Sequence, residues 1–202
     1  MELAKAAGLS LDLARLGHFE HYFRLLRRWN QTINLTALPL AGFTDHTLNR
    51  LLIEPLQAAQ FVDDAALLWL DLGSGGGSPA IPMKIVRPQL RLTMVESRSR
   101  KAAFLSEVVR SLALTTTEVL SFRIEELARS AAAGHADLLT IRAVRIDEGL
   151  LRAAAALLRI GGQLLLFGSE SPQTLNHANF RLAQQLSLIG GDSTLQVLSR
   201  VA

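Results

Sequence analysis

The stretch Trp69-Leu-Asp-Leu-Gly-Ser-Gly-Gly-Gly-Ser-Pro-Ala-Ile-Pro82 leaves this chain few choices. Leu67 to Leu72 is a short apolar run closed by glycines, the pattern of a buried strand. Gly73, Ser74, Gly75, Gly76 and Gly77 then end regular structure. Pro79 and Pro82 suit the first turn of a helix, where a missing N–H costs nothing. Strand, glycine turn and helix start together let the backbone approach a ligand with no Cβ in the way. Four glycines in five residues exceed what a plain strand-to-helix turn requires. Asp71, at the end of the strand, is a candidate for orienting the loop or meeting a ligand amine.

The spacing excludes two common ligand loops. A dinucleotide fingerprint needs glycine at the sixth loop position, where Ser78 stands. A P-loop needs Gly-Lys-Ser/Thr after its spacer, and none follows. What remains, Gly73-x-Gly75-x-Gly77 after Asp71, resembles the first motif of S-adenosylmethionine-dependent methyltransferases.

Two helices are expected ahead of the loop. Ser10 to Asn30 is amphipathic, with Leu16, Phe19, Phe23, Leu26 and Asn30 on one face and Asp12 or Ser10 as the cap. A second helix is expected from about Asp45 to Gln60, kinked or shifted by Pro55. They are read as an N-terminal helical cap, residues 1–64, on a methyltransferase-like unit, residues 65–202. From Leu67 onward strand and helix alternate. Strands are expected at 90–95, 118–122, 137–141 and 163–167, helices at 100–114, 124–133 and 147–159, and a turn at Gly161-Gly162. Alternation of this kind predicts an α/β fold with a mostly parallel sheet. The tail differs, because Phe180 to Ile189 and Thr194 to Val201 flank Gly190-Gly191-Asp192-Ser193, a hairpin signal. A parallel sheet that ends in an antiparallel hairpin resembles the Rossmann-like fold of class I S-adenosylmethionine-dependent methyltransferases, here expected with an N-terminal helical cap in front.

Three strand ends supply candidate site residues. Glu96 follows the second strand, 25 residues after Asp71, where a carboxylate can accept both hydroxyls of a ribose. Arg123-Ile124-Glu125-Glu126 follows the third, where backbone amides and a carboxylate can meet an adenine edge. Arg142 follows the fourth, over the place expected for the methyl group, unless a salt bridge to Asp137 or Asp147 occupies it. Lys84, Arg87, Arg91, Arg98, Arg100 and Lys101 form the one strongly basic segment, and are candidates for RNA phosphates or a solvated face.

Composition narrows the chemistry. The chain has 202 residues, a net charge of +3 and no cysteine, so disulfides, thiolate metal sites and a cysteine nucleophile are excluded. No uncharged apolar run reaches the ~18 residues of a membrane span, and no secretory leader is evident in Met1 to Leu11. No Asn/Asp-Pro-Pro-aromatic motif follows the fourth strand; Ile141-Arg142-Ala143-Val144 stands in its place. A ring nitrogen such as guanine N7 offers a lone pair in its neutral form and needs alignment more than a general base. A cytoplasmic monomer, with no membrane and no metal, is expected.

These pieces resemble the bacterial small-subunit (16S) ribosomal RNA guanine-N7 methyltransferases, the RsmG or glucose-inhibited division protein B family. The resemblance is carried by Trp29-Asn30 and Asn34-Leu35-Thr36, the 71–82 loop, Ser97 to Leu105, Arg123-Ile124-Glu125-Glu126 and Arg142-Ala143. It implies S-adenosyl-L-methionine as cofactor, held through Gly73, Ser78, Ile124, Glu125 and Arg142, with ribosomal RNA or the small ribosomal subunit as partner. Asp71, Ser74, Gly75, Gly77 and Glu96 complete the expected cofactor set, and Arg142 is the candidate that also steers the target base. The chain departs from the family pattern at Ser78, Ala80, Asn49-Arg50 and Ser169-Glu170. A non-catalytic RNA- or ribosome-binding descendant and a small-molecule methyltransferase are the alternatives.

Overall fold

The computed structural model describes residues 11–42, 44–130, 134–169, 177–189 and 193–202. Helix α1 spans Leu13–Asn30, and Asp12 caps it by accepting the Arg15 N–H. Ser10, the other expected cap, lies outside the described residues. The buried face of α1 is Phe19, Tyr22, Phe23, Leu25 and Leu26. Beyond α1, Asn30 Oδ1 accepts from the N–H groups of Leu35 and Thr36 at 2.8 and 3.0 Å, and its amide donates to the Thr36 carbonyl. One asparagine thus fixes the loop that the Trp-Asn…Asn-Leu-Thr signature spans.

The second expected helix is broken into pieces. Helix α2 covers Asp45–Leu48, a π-helical turn Asn49–Ile53, helix α3 Glu54–Ala58, and a 3-10 turn Ala59–Phe61. Pro55 is the cause to hand: it has no N–H for the carbonyl of Leu51, and its ring crowds that carbonyl. The Ser78 hydroxyl donates to the Leu51 carbonyl at 3.1 Å instead, so the break ties this segment to the glycine loop.

The remainder alternates as expected, with most boundaries moved by one to three residues and the fifth strand beginning five residues early. Strands β1 to β5 are Leu68–Leu72, Arg91–Val95, Thr117–Leu120, Ala136–Arg142 and Leu158–Ser169. Between them lie α4 Ala80–Val86, α5 Ser99–Ser111, α6 Ile124–Leu127 and α7 Glu148–Leu157. Strands β6 Phe180–Ser187 and β7 Ser193–Arg200 complete the sheet. Its order is β3-β2-β1-β4-β5-β7-β6, with β1 to β5 parallel and β7 antiparallel to both neighbours.

Two expectations need correction. The helix at 124–133 is only α6, four residues long; residues 131–133 lie outside the described set. Gly161-Gly162 is not a turn into a strand, because β5 begins at Leu158 and runs through both glycines. The irregular register between Ala136 and Leu138 absorbs them, and Gly161 takes a φ of +77° there. The expected turn at 190–192 lies outside the described residues, although β6 and β7 pair as a hairpin predicts.

Strand alternation sorts the sheet into two faces. Trp69, Leu92, Met94, Leu138, Leu165 and Val197 share a core with α1, α3, α4 and α5. Leu72, Val95, Leu139, Ile141, Leu164 and Leu166 pack with α7 on the other face. By the same alternation Asp71, Thr140, Arg142, Phe167 and Ser193 stand on the face that the N-terminal helices cover. That parity brings polar residues from three strands, β1, β4 and β7, beneath one helical segment. Among the described residues no helix is long and apolar enough to cross a membrane.

Candidate functional site

The parallel strands β1, β2 and β4 end on one edge of the sheet, and a cleft of about 650 Å³ opens there. That volume lies within the usual range for small-molecule sites, about 300–1,000 Å³. Gly73, Ser74, Gly75 and Ser78 line it from the loop, Glu96 and Arg98 from the end of β2, and Ile124 from α6. Arg142 to Arg145 line it from the end of β4, and Leu35 to Leu38 and Arg50 from the N-terminal helices.

The glycines are required by conformation and by space. Gly73, Gly75 and Gly77 have φ of +76°, +52° and +88°. A Cβ on Gly73 would stand 2.5 Å from Val144 Cγ2, and one on Gly77 2.9 Å from Ile81 Cγ1. A Cβ on Gly75 would meet nothing nearer than the Gly73 carbonyl at 3.7 Å, so this glycine faces open cleft. The loop is pinned from several sides. Gly73 and Ser74 donate their N–H groups to the Val95 carbonyl, and Tyr22 donates its hydroxyl to the Gly76 carbonyl at 2.6 Å. Glu96, almost wholly buried, accepts the Gly75 N–H at 2.9 Å on Oε2 and the Arg98 N–H at 2.8 Å on Oε1. A carboxylate carries about four lone-pair sites, so each oxygen keeps room for a further donor.

That donor and acceptor set fits a nucleoside with a free ribose diol: an acceptor-only carboxylate beside a glycine cradle open at Gly75. It is also the arrangement that S-adenosylmethionine requires.

Asp71 is placed under the loop, 1% exposed, and does not line the cleft. Trp69 Nε1 donates to Thr140 Oγ1 at 2.9 Å, and Thr140 donates in turn to Asp71 Oδ1 at 2.5 Å. Asp71 Oδ2 is buried with no hydrogen-bond partner. Burial raises this carboxyl from 3.8 to about 6. Asp71 therefore braces the loop from below. Gly77 likewise packs against Ile81 and Leu105 rather than the cleft. Glu125 is exposed and does not line the cleft, whereas its neighbour Ile124 does.

Arg142 ends β4 opposite Phe167 of β5, and its guanidinium lies 5.3 Å from that ring's centre. Its partner is neither Asp137 nor Asp147. Asp137 pairs with Arg159 and accepts the Leu67 and Leu68 N–H groups, while Asp147 caps α7. Arg142 Nη2 instead meets Glu54 Oε2 at 2.6 Å, and Nη1 reaches the Ser78 hydroxyl at 3.3 Å. Burial lowers the guanidinium from its ordinary value to about 10, with Glu54 opposing the shift. Glu54, 1% exposed, also receives Arg50 and the Ser193 hydroxyl. Nothing in the sequence pattern marks Glu54, and Arg50 stands out only as a departure from the family pattern, because their partners come from β4 and β7. Tyr22 and Thr140 escape sequence reasoning for the same reason.

The fold splits the basic segment. Lys84 is corrected from RNA contact to core residue: it is 1% exposed, and Nζ donates to the carbonyls of Pro88 and Leu90 and to Thr116 Oγ1. Arg87, past the C-terminal end of α4, donates to the Val62 carbonyl and Asp64. Arg91 begins β2, at the opposite end of the strand from Glu96. These three cannot flank the cleft, because α4 and β2 carry the chain to the far edge of the sheet and back. Arg98 and Lys101 do line it, and Arg100 is exposed beside them. Arg50, Arg142 and Arg145, none of them in the basic segment, add to the cationic wall.

Residues 15–189 match the family described as rRNA small subunit methyltransferase G. Ribosomal RNA small subunit methyltransferase G of Stenotrophomonas maltophilia (strain R551-3) is 43% identical over 161 residues, covering 79% of this chain and 71% of the relative. The protein of that name from Xanthomonas axonopodis pv. citri (strain 306) is 42% identical over 158 residues, covering 77% and 70%. Among solved structures, a SAM-dependent methyltransferase from Aquifex aeolicus matches with a TM-score of 0.60, covering 79% of this chain and 95% of that one. At 13% identity that likeness concerns the fold.

Proposed function

The chain belongs to the rRNA small subunit methyltransferase G family, and from that premise we propose that it transfers the methyl group of S-adenosylmethionine to guanine N7 in small-subunit ribosomal RNA. One observation carries the reading: Glu96 binds the Gly75 amide at the mouth of the cleft, so glycine loop and ribose acceptor form one preassembled surface. In this reading Gly73, Ser74, Gly75, Ser78, Glu96 and Ile124 hold the cofactor. When bound, S-adenosylmethionine supplies an electrophilic methyl on a sulfonium sulfur. Guanine N7 would offer its lone pair without first losing a proton, so the chain need supply no general base. The chain's own contribution is alignment, exclusion of water and placement of charge. Arg142 has a fixed guanidinium at the end of β4, suited either to guanine O6 or to a carboxylate of the cofactor.

The cationic wall of Arg50, Arg98, Lys101 and Arg145 favours a polyanionic substrate over a small neutral one. RNA, free or within the small subunit, is the partner that fits; we read the enzyme as a cytoplasmic monomer with a cap, residues 1–64, and a catalytic unit, residues 65–202. The test is methyl transfer from labelled S-adenosylmethionine to purified small subunits and to bare ribosomal RNA, with nuclease digestion of the product. Label in 7-methylguanosine is expected; label in another nucleoside, or none, overturns the assignment.

A further inference from the structure

Within the cationic wall, Arg50 is the arginine whose own contact is still unassigned. It belongs to the π-helical turn before α3, lines the cleft, and has a side chain 28% exposed. Its held nitrogen is Nη1, which meets Ser193 Oγ at 2.5 Å and both Glu54 oxygens at 3.2 and 3.3 Å. A guanidinium has five N–H donors, so Nη2 and Nε remain for the cleft. Glu54 itself is shared with Arg142, which leaves two cations around one carboxylate and a net positive charge on that wall.

Position decides what this charge is for. Glu96 and the glycine loop lie over β2 and β1, at one side of the sheet edge. Ser193 begins β7, and in the order β1-β4-β5-β7 that strand is three places from β1. Adjacent strands are about 4.8 Å apart, so the anchor of Arg50 is roughly 14 Å from the loop strand. Arg142 stands between them. Arg50 thus enters the cleft from the β7 side, with Glu54 and Arg142 between its guanidinium and the Ser78 end of the glycine loop.

We propose that Arg50 is a substrate-contacting residue, held rigid by Glu54 and Ser193, that takes an RNA phosphate next to the target nucleotide. The assignment rests on the RNA reading of the cleft. Clamping one end of the guanidinium leaves its remaining donors preorganised, which suits bidentate phosphate recognition. Glu54 acts as the positioning residue for both arginines.

The experiment compares wild type, Arg50→Gln and Arg50→Lys on small-subunit ribosomal RNA over a salt series. Binding is followed by fluorescence anisotropy, and methyl transfer where it occurs by steady-state kinetics. S-adenosylhomocysteine affinity is measured in parallel by calorimetry. Arg50→Gln is expected to raise KM for RNA about tenfold, with a much smaller effect on kcat. It should also flatten the log–log salt dependence of binding by about 0.7. Arg50→Lys, which keeps the charge, should restore the slope but only part of the affinity. An unchanged slope in both variants overturns the assignment, as does a loss confined to S-adenosylhomocysteine. Wild type that binds RNA but transfers no methyl would sink the proposed reaction while leaving the slope to judge Arg50.

Discussion

Replacing Asp71 by asparagine separates the brace from the ligand site and yields a number. Asp71 is fully buried, accepts one hydrogen bond from Thr140 and leaves Oδ2 without a partner. Burial is the largest cause of its raised titration, from 3.8 to about 6; Ser74, Thr140 and Arg142 oppose it, while Glu96 adds to it. A carboxyl that holds its proton more tightly when folded stabilises the native state fully below the unfolded value. That contribution is lost as pH rises through about 6. The difference corresponds to about 3 kcal/mol by pH 7 and above. The substituted asparagine cannot ionise, and its amide oxygen can still accept from Thr140. Every other titration is common to both proteins and cancels in the comparison. Urea unfolding of both, stepped from pH 4 to pH 8, should show wild type losing about 2.5 kcal/mol relative to Asp71→Asn across this window. A difference that stays flat with pH would refute the reasoning, because Asp71 would then titrate alike in both states.

Other perturbations separate the parts of the site. Glu96→Ala should weaken S-adenosylhomocysteine by about 1–3 kcal/mol in calorimetry, through loss of the acceptor and of the Gly75 anchor. Gly73→Ala meets Val144 at 2.5 Å and should abolish that binding, whereas Gly75→Ala meets no close atom and should cost only about 1–2 kcal/mol of backbone strain; equal effects would contradict the loop geometry. Charge reversal at Arg98 and Lys101 should flatten the salt dependence of RNA binding by about 0.7–0.9 per lost contact, and reversal at Arg87 and Arg91 should leave it alone. Arg142→Ala should abolish methylation. Retained S-adenosylhomocysteine affinity would assign the side chain to the base, and lost affinity would assign it to the cofactor carboxylate.

Local chemistry makes the sheet and the loop legible. The apolar run, the glycines and the prolines at 67–82 act within a few residues of one another, and the structure builds strand, turn and helix from them. Glu96 is legible because strand ends in a parallel sheet share one edge. Lys84 is misread from the sequence because linear proximity to Arg98 says nothing about which end of β2 a residue occupies; α4 buries it beneath Pro88 and Leu90. The Glu54 cluster is invisible for a related reason. Its members Arg50, Ser78, Arg142 and Ser193 come from four separate elements, and only the shared parity of β4 and β7 brings them together. Pro55 signals a break correctly, but not that the carbonyl it frees receives Ser78.

The central claim is that this cleft methylates a guanine of small-subunit ribosomal RNA at N7, and the most direct measurement is made in cells. Small-subunit RNA from a strain lacking the gene, from its parent and from the strain complemented with wild type or Arg142→Ala is mapped for 7-methylguanosine. The account predicts one modified guanine in the parent, absent without the gene, restored by wild type and not by Arg142→Ala. Identical modification maps in all four strains would contradict it.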